Sequence, residues 1–139
     1  MATSAERLLD TSVAIPFLIR GHPAHAATQA ALPERELGLA GHASFETYSV
    51  LTRMPEPVRT SPSTAVRLIR HNFPRTRYLA AGRAEALLAR LAEQGISGAA
   101  VYDALVAAAA LEHGCVLVTR DRRAVSTYSS VGVELLVLE

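Results

Sequence analysis

Short apolar runs that favour β-structure alternate along the chain with stretches in which apolar residues recur at helical spacing. Arg7-Leu8-Leu9 reads as a buried strand that ends at Asp10. Thr11-Ser12 then supplies a helix N-cap, and Val13 to Ile19 continues apolar. Pro16 falls within the first turn or so, where proline does least harm. Gly21-His22-Pro23 breaks this helix, Ala24 to Leu32 forms another, and Glu36 to Ala40 is a weakly marked strand. A third helix starts near Ser44, with Phe45, Tyr48, Val50, Leu51 and Met54 at mixed helical spacing, and Met54-Pro55-Glu56-Pro57 ends it. Ser61-Pro62-Ser63 opens a fourth, Thr64 to His71, with proline placed early.

In the second half, Arg77 to Ala80 is a candidate short strand. Glu85 to Gln94 is amphipathic through Leu87, Leu88 and Leu91, with Gly95 as its cap. Gly98 to His113 is an alanine-rich helix capped by Gly114, and so much alanine implies close packing against a sheet. Val116 to Thr119 is a strand of the kind buried on both faces. A short helix from Arg122 and a strand from Val133 to Leu138 follow. Strands alternating with helices predict crossover connections and a parallel sheet, hence an α/β fold. No repeat, linker or low-complexity segment interrupts the 139 residues, which suit a single domain with its own core.

Composition narrows the function classes. Half the residues are apolar and 19% are charged, the balance of a globule rather than a disordered chain. All 14 basic residues are arginine, so every mechanism that needs a lysine is removed. The net charge of +1 hides two clusters, Arg67, Arg70, Arg75 and Arg77, and Arg120, Arg122 and Arg123. Guanidinium forks match phosphate geometry. The first cluster reads equally well as a solvated helix face; the second flanks Asp121 as a positive fringe suited to a polyanionic substrate. Cys115 is alone, so no disulfide forms within the chain, as expected in a reducing cytoplasm, and its apolar setting marks a buried inert thiol. There is no signal-peptide pattern. The longest apolar run, Ala104 to Leu111, is too short for a bilayer, so the expectation is a soluble cytoplasmic domain without a membrane partner.

Four acidic signatures carry the chemistry: Leu9-Asp10-Thr11-Ser12, Phe45-Glu46-Thr47, Tyr102-Asp103-Ala104 and Thr119-Arg120-Asp121. Asp10 and Asp121 follow strands, while Glu46 and Asp103 lie in helical patterns. A carboxylate at the end of a parallel strand points into the crevice where α/β sheets bind ligands. Converging carboxylates repel one another, and a divalent cation is the usual answer. Thr11, Ser12 and Thr119 are hydroxyls suited to orienting them. Taken singly, Asp10 and Asp121 read equally as caps or turn residues and Glu46 as an exposed helix position; Asp103, among apolar neighbours, is harder to place otherwise. The histidines stand apart without metal-ligand spacing, and no P-loop, G-x-S-x-G or G-x-G-x-x-G is present.

With these motifs the chain resembles the PIN-domain ribonucleases, and among them the VapC toxins of bacterial toxin–antitoxin pairs. The resemblance runs over nearly the whole chain, through Leu9-Asp10-Thr11-Ser12, Glu46-x-x-Ser49-x-Leu51-Thr52-Arg53, Tyr102-Asp103-Ala104-Leu105 and Leu117-Val118-Thr119-Arg120-Asp121. It implies a three-layer α/β/α sandwich with a central parallel sheet. It also implies cleavage of structured RNA by in-line attack of water activated by magnesium or manganese, leaving a 3′-hydroxyl. Asp10, Glu46, Asp103 and Asp121 become the acidic quartet; Asp10 and Asp103 are the most direct metal ligands, and Thr119 helps to orient the acids. A homodimer and a VapB-type antitoxin that blocks the site are implied as well. Where many relatives have an aromatic residue just after the fourth acid, this chain has Ala124.

Three other readings compete. A haloacid-dehalogenase-like phosphatase needs a second acid where Ser12 stands and normally a lysine, and a receiver domain needs a lysine too. The remaining alternative is a catalytically inactive PIN-like module that grips RNA or protein without cutting.

Overall fold

The structure, a computed structural model, describes residues 6–33 and 36–139. Residues 1–5, part of the stretch read for a signal pattern, lie outside it. Among the described residues, strands β1 (Arg7–Leu9), β2 (Gly38–Leu39), β3 (Val116–Thr119) and β4 (Leu135–Val137) pair in parallel in the order β2-β1-β3-β4. The connecting helices are α1 (Thr11–Leu18), α2 (His25–Ala31), α3 (Ala43–Arg53), α4 (Pro62–Asn72), α5 (Ala81–Glu93), α6 (Ala100–Glu112) and α7 (Val125–Val131). A single 3₁₀ turn, Arg122–Ala124, precedes α7.

Period-two alternation along the strands creates two cores. Leu8 pairs with Leu117, and both face a cluster built from α5, α6 and α7, with Leu87, Ala104, Ala107, Tyr128 and Val131. Leu9 pairs with Val118, and both face the opposite cluster from α1, α2 and α4, with Val13, Ala14, Phe73 and the flanking Ile69 and Ala31. The sheet is therefore the middle of three layers, as expected. The alanines of α6 serve the close approach predicted for them: Ala104, Ala107, Ala109 and Ala110 are all fully buried.

The parity of these positions also aims the next residues. Asp10 shares the face of Leu8 and Thr119 that of Leu117, so both turn towards α6 and α7. From β1 the chain crosses to one neighbour, β2, and later returns to the other, β3. The crevice beyond the ends of β1 and β3 is thus the point where strand order reverses, the place where open α/β sheets bind ligands.

Several expected boundaries are corrected. The first helix begins at Thr11 with Asp10 at the N-cap, rather than being capped by Thr11-Ser12. Pro16 lies in the second turn of α1, and the helix ends two residues later. The carbonyls left over are met from α2, by His25 Nδ1 at 2.8 Å from Pro16 and by the Gln29 amide donating to Phe17 at 3.1 Å. Arg77 to Ala80 is not a strand: one parallel bridge joins Ala40 and Arg77. The segment before it is too tightly drawn in to form a regular ladder. The Leu39 N–H donates to the Thr76 hydroxyl, and a Cβ on Gly38 would fall 2.1 Å from the Arg75 carbonyl oxygen.

Candidate active site

Asp10 is the structural centre of the crevice. It is 3% exposed, yet both carboxylate oxygens are satisfied. Ser12 Oγ donates to Oδ1 at 2.5 Å, Thr119 Oγ1 donates to Oδ2 at 2.5 Å, and the Tyr128 hydroxyl donates to Oδ2 at 2.8 Å. The two aliphatic hydroxyls are themselves fixed by backbone. The Arg120 N–H donates to Ser12 Oγ at 2.8 Å and the Asp121 N–H to Thr119 Oγ1 at 2.9 Å. A hydroxyl that accepts from an amide has its own proton free for an acceptor. Both protons therefore go to Asp10. Although Asp10 occupies the N-cap of α1, its side chain makes no capping bond.

The other acids arrive from separate elements. Asp121 lies two residues past β3, where it caps the 3₁₀ turn by accepting from the Arg123 N–H at 3.1 Å. It also pairs with the Arg123 guanidinium at 2.9 Å, so one side chain caps the turn and faces the crevice. Asp103 stands in the first turn of α6, 4.0 Å from Arg123 Nη1. Glu46 stands in the first turn of α3, 3.5 Å from His42 Nε2. All four acids line one pocket of about 70 Å³, together with Thr11, Ser12, Val106, Arg123 and Tyr128. An adjoining cleft shares Glu46, Asp103 and Arg123 and adds His42, Ala99 and Tyr102.

Burial raises the Asp10, Glu46 and Asp103 carboxyls above the ordinary range. For Asp10 the three hydroxyl donors oppose that rise and Asp121 adds to it. For Glu46 the His42 ring opposes it, while Asp103 and Asp10 add to it. For Asp103 the Arg123 guanidinium opposes it, while Asp121 and Asp10 add to it. The Tyr128 phenol is pushed far up by burial and by Asp10 beside it, so it stays a proton donor. The pocket thus gathers four carboxylates around a single guanidinium, that of Arg123.

That donor set, all oxygen, suits magnesium or manganese, which take one or two carboxylates and keep several waters. It does not form a closed cage: among the described residues no three acidic, histidine or cysteine side chains are gathered tightly enough to enclose an ion. Asp10 has three donors on its two oxygens, which leaves an acceptor position open on Oδ1.

Other expectations divide. Thr11 does not orient an acid; its hydroxyl donates to the Ala43 carbonyl and accepts from Thr47. Of the second arginine cluster only Arg123 turns into the site. Arg120 donates to Thr28 and to the Glu139 carbonyl, and Arg122 pairs with Glu139. The first cluster is split, because Arg75 and Arg77 are tied to Glu6 and Glu36. Cys115 is buried, and burial raises its thiol, as an inert core position requires. Sequence reasoning missed Tyr128, set His42 aside with the other histidines, and reached Arg123 only as one of a cluster of three. A tyrosine on an otherwise apolar helix face was the available signal, since a buried phenol needs a partner.

The comparisons with known proteins agree with this geometry. The family model described as PIN domain matches residues 7–129. The chain is 51% identical over 129 residues to a Mycobacterium tuberculosis protein named Ribonuclease VapC27, covering 93% of this chain and 94% of that one. It is 43% identical over 128 residues to Ribonuclease VapC40 of the same species, covering 91% and 94%. A family match over most of the chain and two full-length relatives of one type lead to one conclusion: this chain belongs to the PIN-domain family, on its VapC branch.

Proposed function

We propose that this protein is an endoribonuclease of the VapC toxin type, cleaving structured RNA such as transfer or ribosomal RNA with the help of magnesium or manganese. The observation that carries the reading is the convergence of Asp10, Glu46, Asp103 and Asp121 on one pocket at the strand-order reversal. The relatives, both named as ribonucleases, supply the substrate class. A divalent cation supplies charge neutralisation and acidifies water enough for it to attack a phosphodiester at neutral pH.

The chain's own residues do the rest. Asp10 and Asp103 would hold the cation, and Asp121 and Glu46 would complete its surroundings. Ser12, Thr119 and Tyr128 fix the Asp10 carboxylate, so that its open Oδ1 position faces a constant direction. Glu46 is placed to take a proton, and His42 Nε2 at 3.5 Å stabilises its charge. Arg123 pairs with Asp121, and its side chain, 71% exposed, leaves an outer edge of the guanidinium to meet a phosphate at the pocket mouth. A VapB-type antitoxin that covers the pocket, a homodimer and a cytoplasmic location belong to the same reading. No described helix is long and apolar enough to cross a membrane.

The test is cleavage of total bacterial RNA by purified protein with magnesium, with manganese and with EDTA, beside Asp10→Asn. Discrete metal-dependent cuts that vanish in the variant are expected. RNA that is bound but left intact under every condition returns the chain to the non-cutting module.

A further inference from the structure

Six large apolar side chains are strongly exposed among the described residues, and three of them are aromatic: Phe45 at 64%, Tyr78 at 53% and Tyr102 at 53%. These three rings are not scattered. His42 stacks on Tyr102 with centroids 5.1 Å apart and planes 19° from parallel. Phe45 stands 6.5 Å from His42 on one side and 6.1 Å from Tyr78 on the other. The result is a continuous row, Tyr102–His42–Phe45–Tyr78, and Tyr102 and His42 line the cleft that shares Glu46, Asp103 and Arg123 with the acidic pocket.

The sequence explains the placement. Phe45 directly precedes Glu46, and Tyr102 directly precedes Asp103. Neighbours on a helix point about 100° apart, so when the acid faces the pocket the ring before it is thrown to the rim. The same arrangement occurs on α3 and on α6, and the two rims meet through His42. Other aromatic rings are used inside: Phe17 packs against Phe73, and Tyr128 is buried against Asp10.

Exposed aromatic faces beside a phosphodiester-cleaving pocket, with a guanidinium at its edge, are the elements by which proteins hold unpaired nucleic acid: bases stack on rings while cations track the backbone. We propose that the Tyr102–His42–Phe45 row is a stacking subsite for the unpaired bases next to the cleaved bond. The subsite selects single-stranded loops over duplex RNA, whose paired and stacked bases cannot reach the rings. This rests on the ribonuclease reading above. A second copy of the chain is the other occupant such a row could take, and the experiment separates the two.

Binding is measured in the Asp10→Asn background with a short unpaired RNA carrying a fluorescent 2-aminopurine and with the same strand annealed to its complement. Cutting is measured in the wild-type background, with Tyr102→Ala, Tyr102→Leu, Tyr102→Phe and Phe45→Ala. The expected result is quenching of the 2-aminopurine on binding of the unpaired strand only, and an affinity about tenfold weaker in the alanine variants, the scale of one lost base stack. The loss should fall on KM rather than kcat, with Tyr102→Phe restoring it and Tyr102→Leu failing to. Leucine restoring binding as well as phenylalanine overturns the subsite, since apolar area and not stacking is then what matters. Unchanged RNA affinity with a shift from dimer to monomer on size exclusion overturns it in favour of a contact between copies. Wild-type cutting with KM unchanged in every variant removes the subsite alone; a wild type that neither binds nor cuts removes the nuclease reading with it.

Discussion

Tyr128, near the end of the chain, donates its phenolic proton to Asp10, near the beginning, at 2.8 Å and with both side chains almost wholly buried. Phenylalanine in its place keeps the shape and removes the donor. Tyr128→Phe is therefore expected to destabilise the fold by about 1–3 kcal/mol, the range for a buried acceptor that loses a partner. Because the hydroxyl holds the Asp10 carboxyl down against burial, its loss also moves that carboxyl further up. Thermal denaturation reads the first effect, and a shift of the acid limb of cleavage to higher pH reads the second. A pH profile identical to wild type would show that Tyr128 does not tune the site.

Asp103 reaches the pocket from the first turn of α6, and its neighbours Ala104 and Ala107 are core. Asp103→Asn keeps size and polarity and removes the charge. Cleavage should fall at least about a hundredfold, the scale on which one transition-state-stabilising group acts, while the melting temperature changes little. An undiminished rate removes Asp103 from the site.

Asp10, Glu46 and Asp103 all have folded-state carboxyls raised by burial. The folded chain then binds protons more readily than the unfolded one, so protonation favours the fold. Their contribution is fully present below about pH 4, the unfolded carboxyl range, and is lost as pH rises through the elevated folded values. At neutral pH the ionised cluster is a burden, which a bound cation relieves. Glu46→Gln, which meets no hydroxyl donors, should melt at or above wild type at pH 7, with the gap narrowing on acidification, and magnesium should raise the melting temperature of wild type more than of the variant. A variant much less stable at every pH would mean that the carboxylate holds the fold together rather than straining it.

Gly38 lies in β2 with no room for a side chain, because a Cβ would overlap the Arg75 carbonyl and the Thr76 nitrogen. Gly38→Ala forces that backbone away and breaks the bond from the Leu39 N–H to the Thr76 hydroxyl and that from the Arg77 N–H to the Leu39 carbonyl. A loss of about 1–3 kcal/mol is expected, as for other overpacked positions, with kcat unaffected in the folded fraction because the edge of β2 contributes nothing to the pocket. A denaturant midpoint equal to wild type would contradict the tight approach.

Much of this was legible in the chain itself. Asp10 and Asp121 announced themselves because an acid after an apolar run has one natural destination in a parallel sheet, and Asp103 because it interrupts an alanine-rich core helix. The sheet followed from the alternation of elements. What stayed hidden depended on distance through space. Nothing local in Val125-Ser126-Thr127-Tyr128 shows that the phenol will meet a carboxylate 118 positions earlier. The first arginine cluster was ambiguous for the same reason: Arg75 and Arg77 follow Arg70 closely in sequence, yet Glu6 and Glu36, far back along the chain, claim them. The expected strand at Arg77 to Ala80 failed because Thr76 lends a side-chain hydroxyl where a ladder needs backbone.

The hydroxyl bridges from Arg120 and Asp121 through Ser12 and Thr119 to Asp10 also set an order of events. A ribosome that has made only the first three-quarters of this chain has produced three of the acids, but no strand β3, no fourth carboxylate and no phenol to hold the first. The pocket comes into being only when the carboxyl-terminal strand and helix dock on the amino-terminal strand. A protein that cuts RNA would thus be harmless to its own message and to the machinery translating it until synthesis is nearly finished.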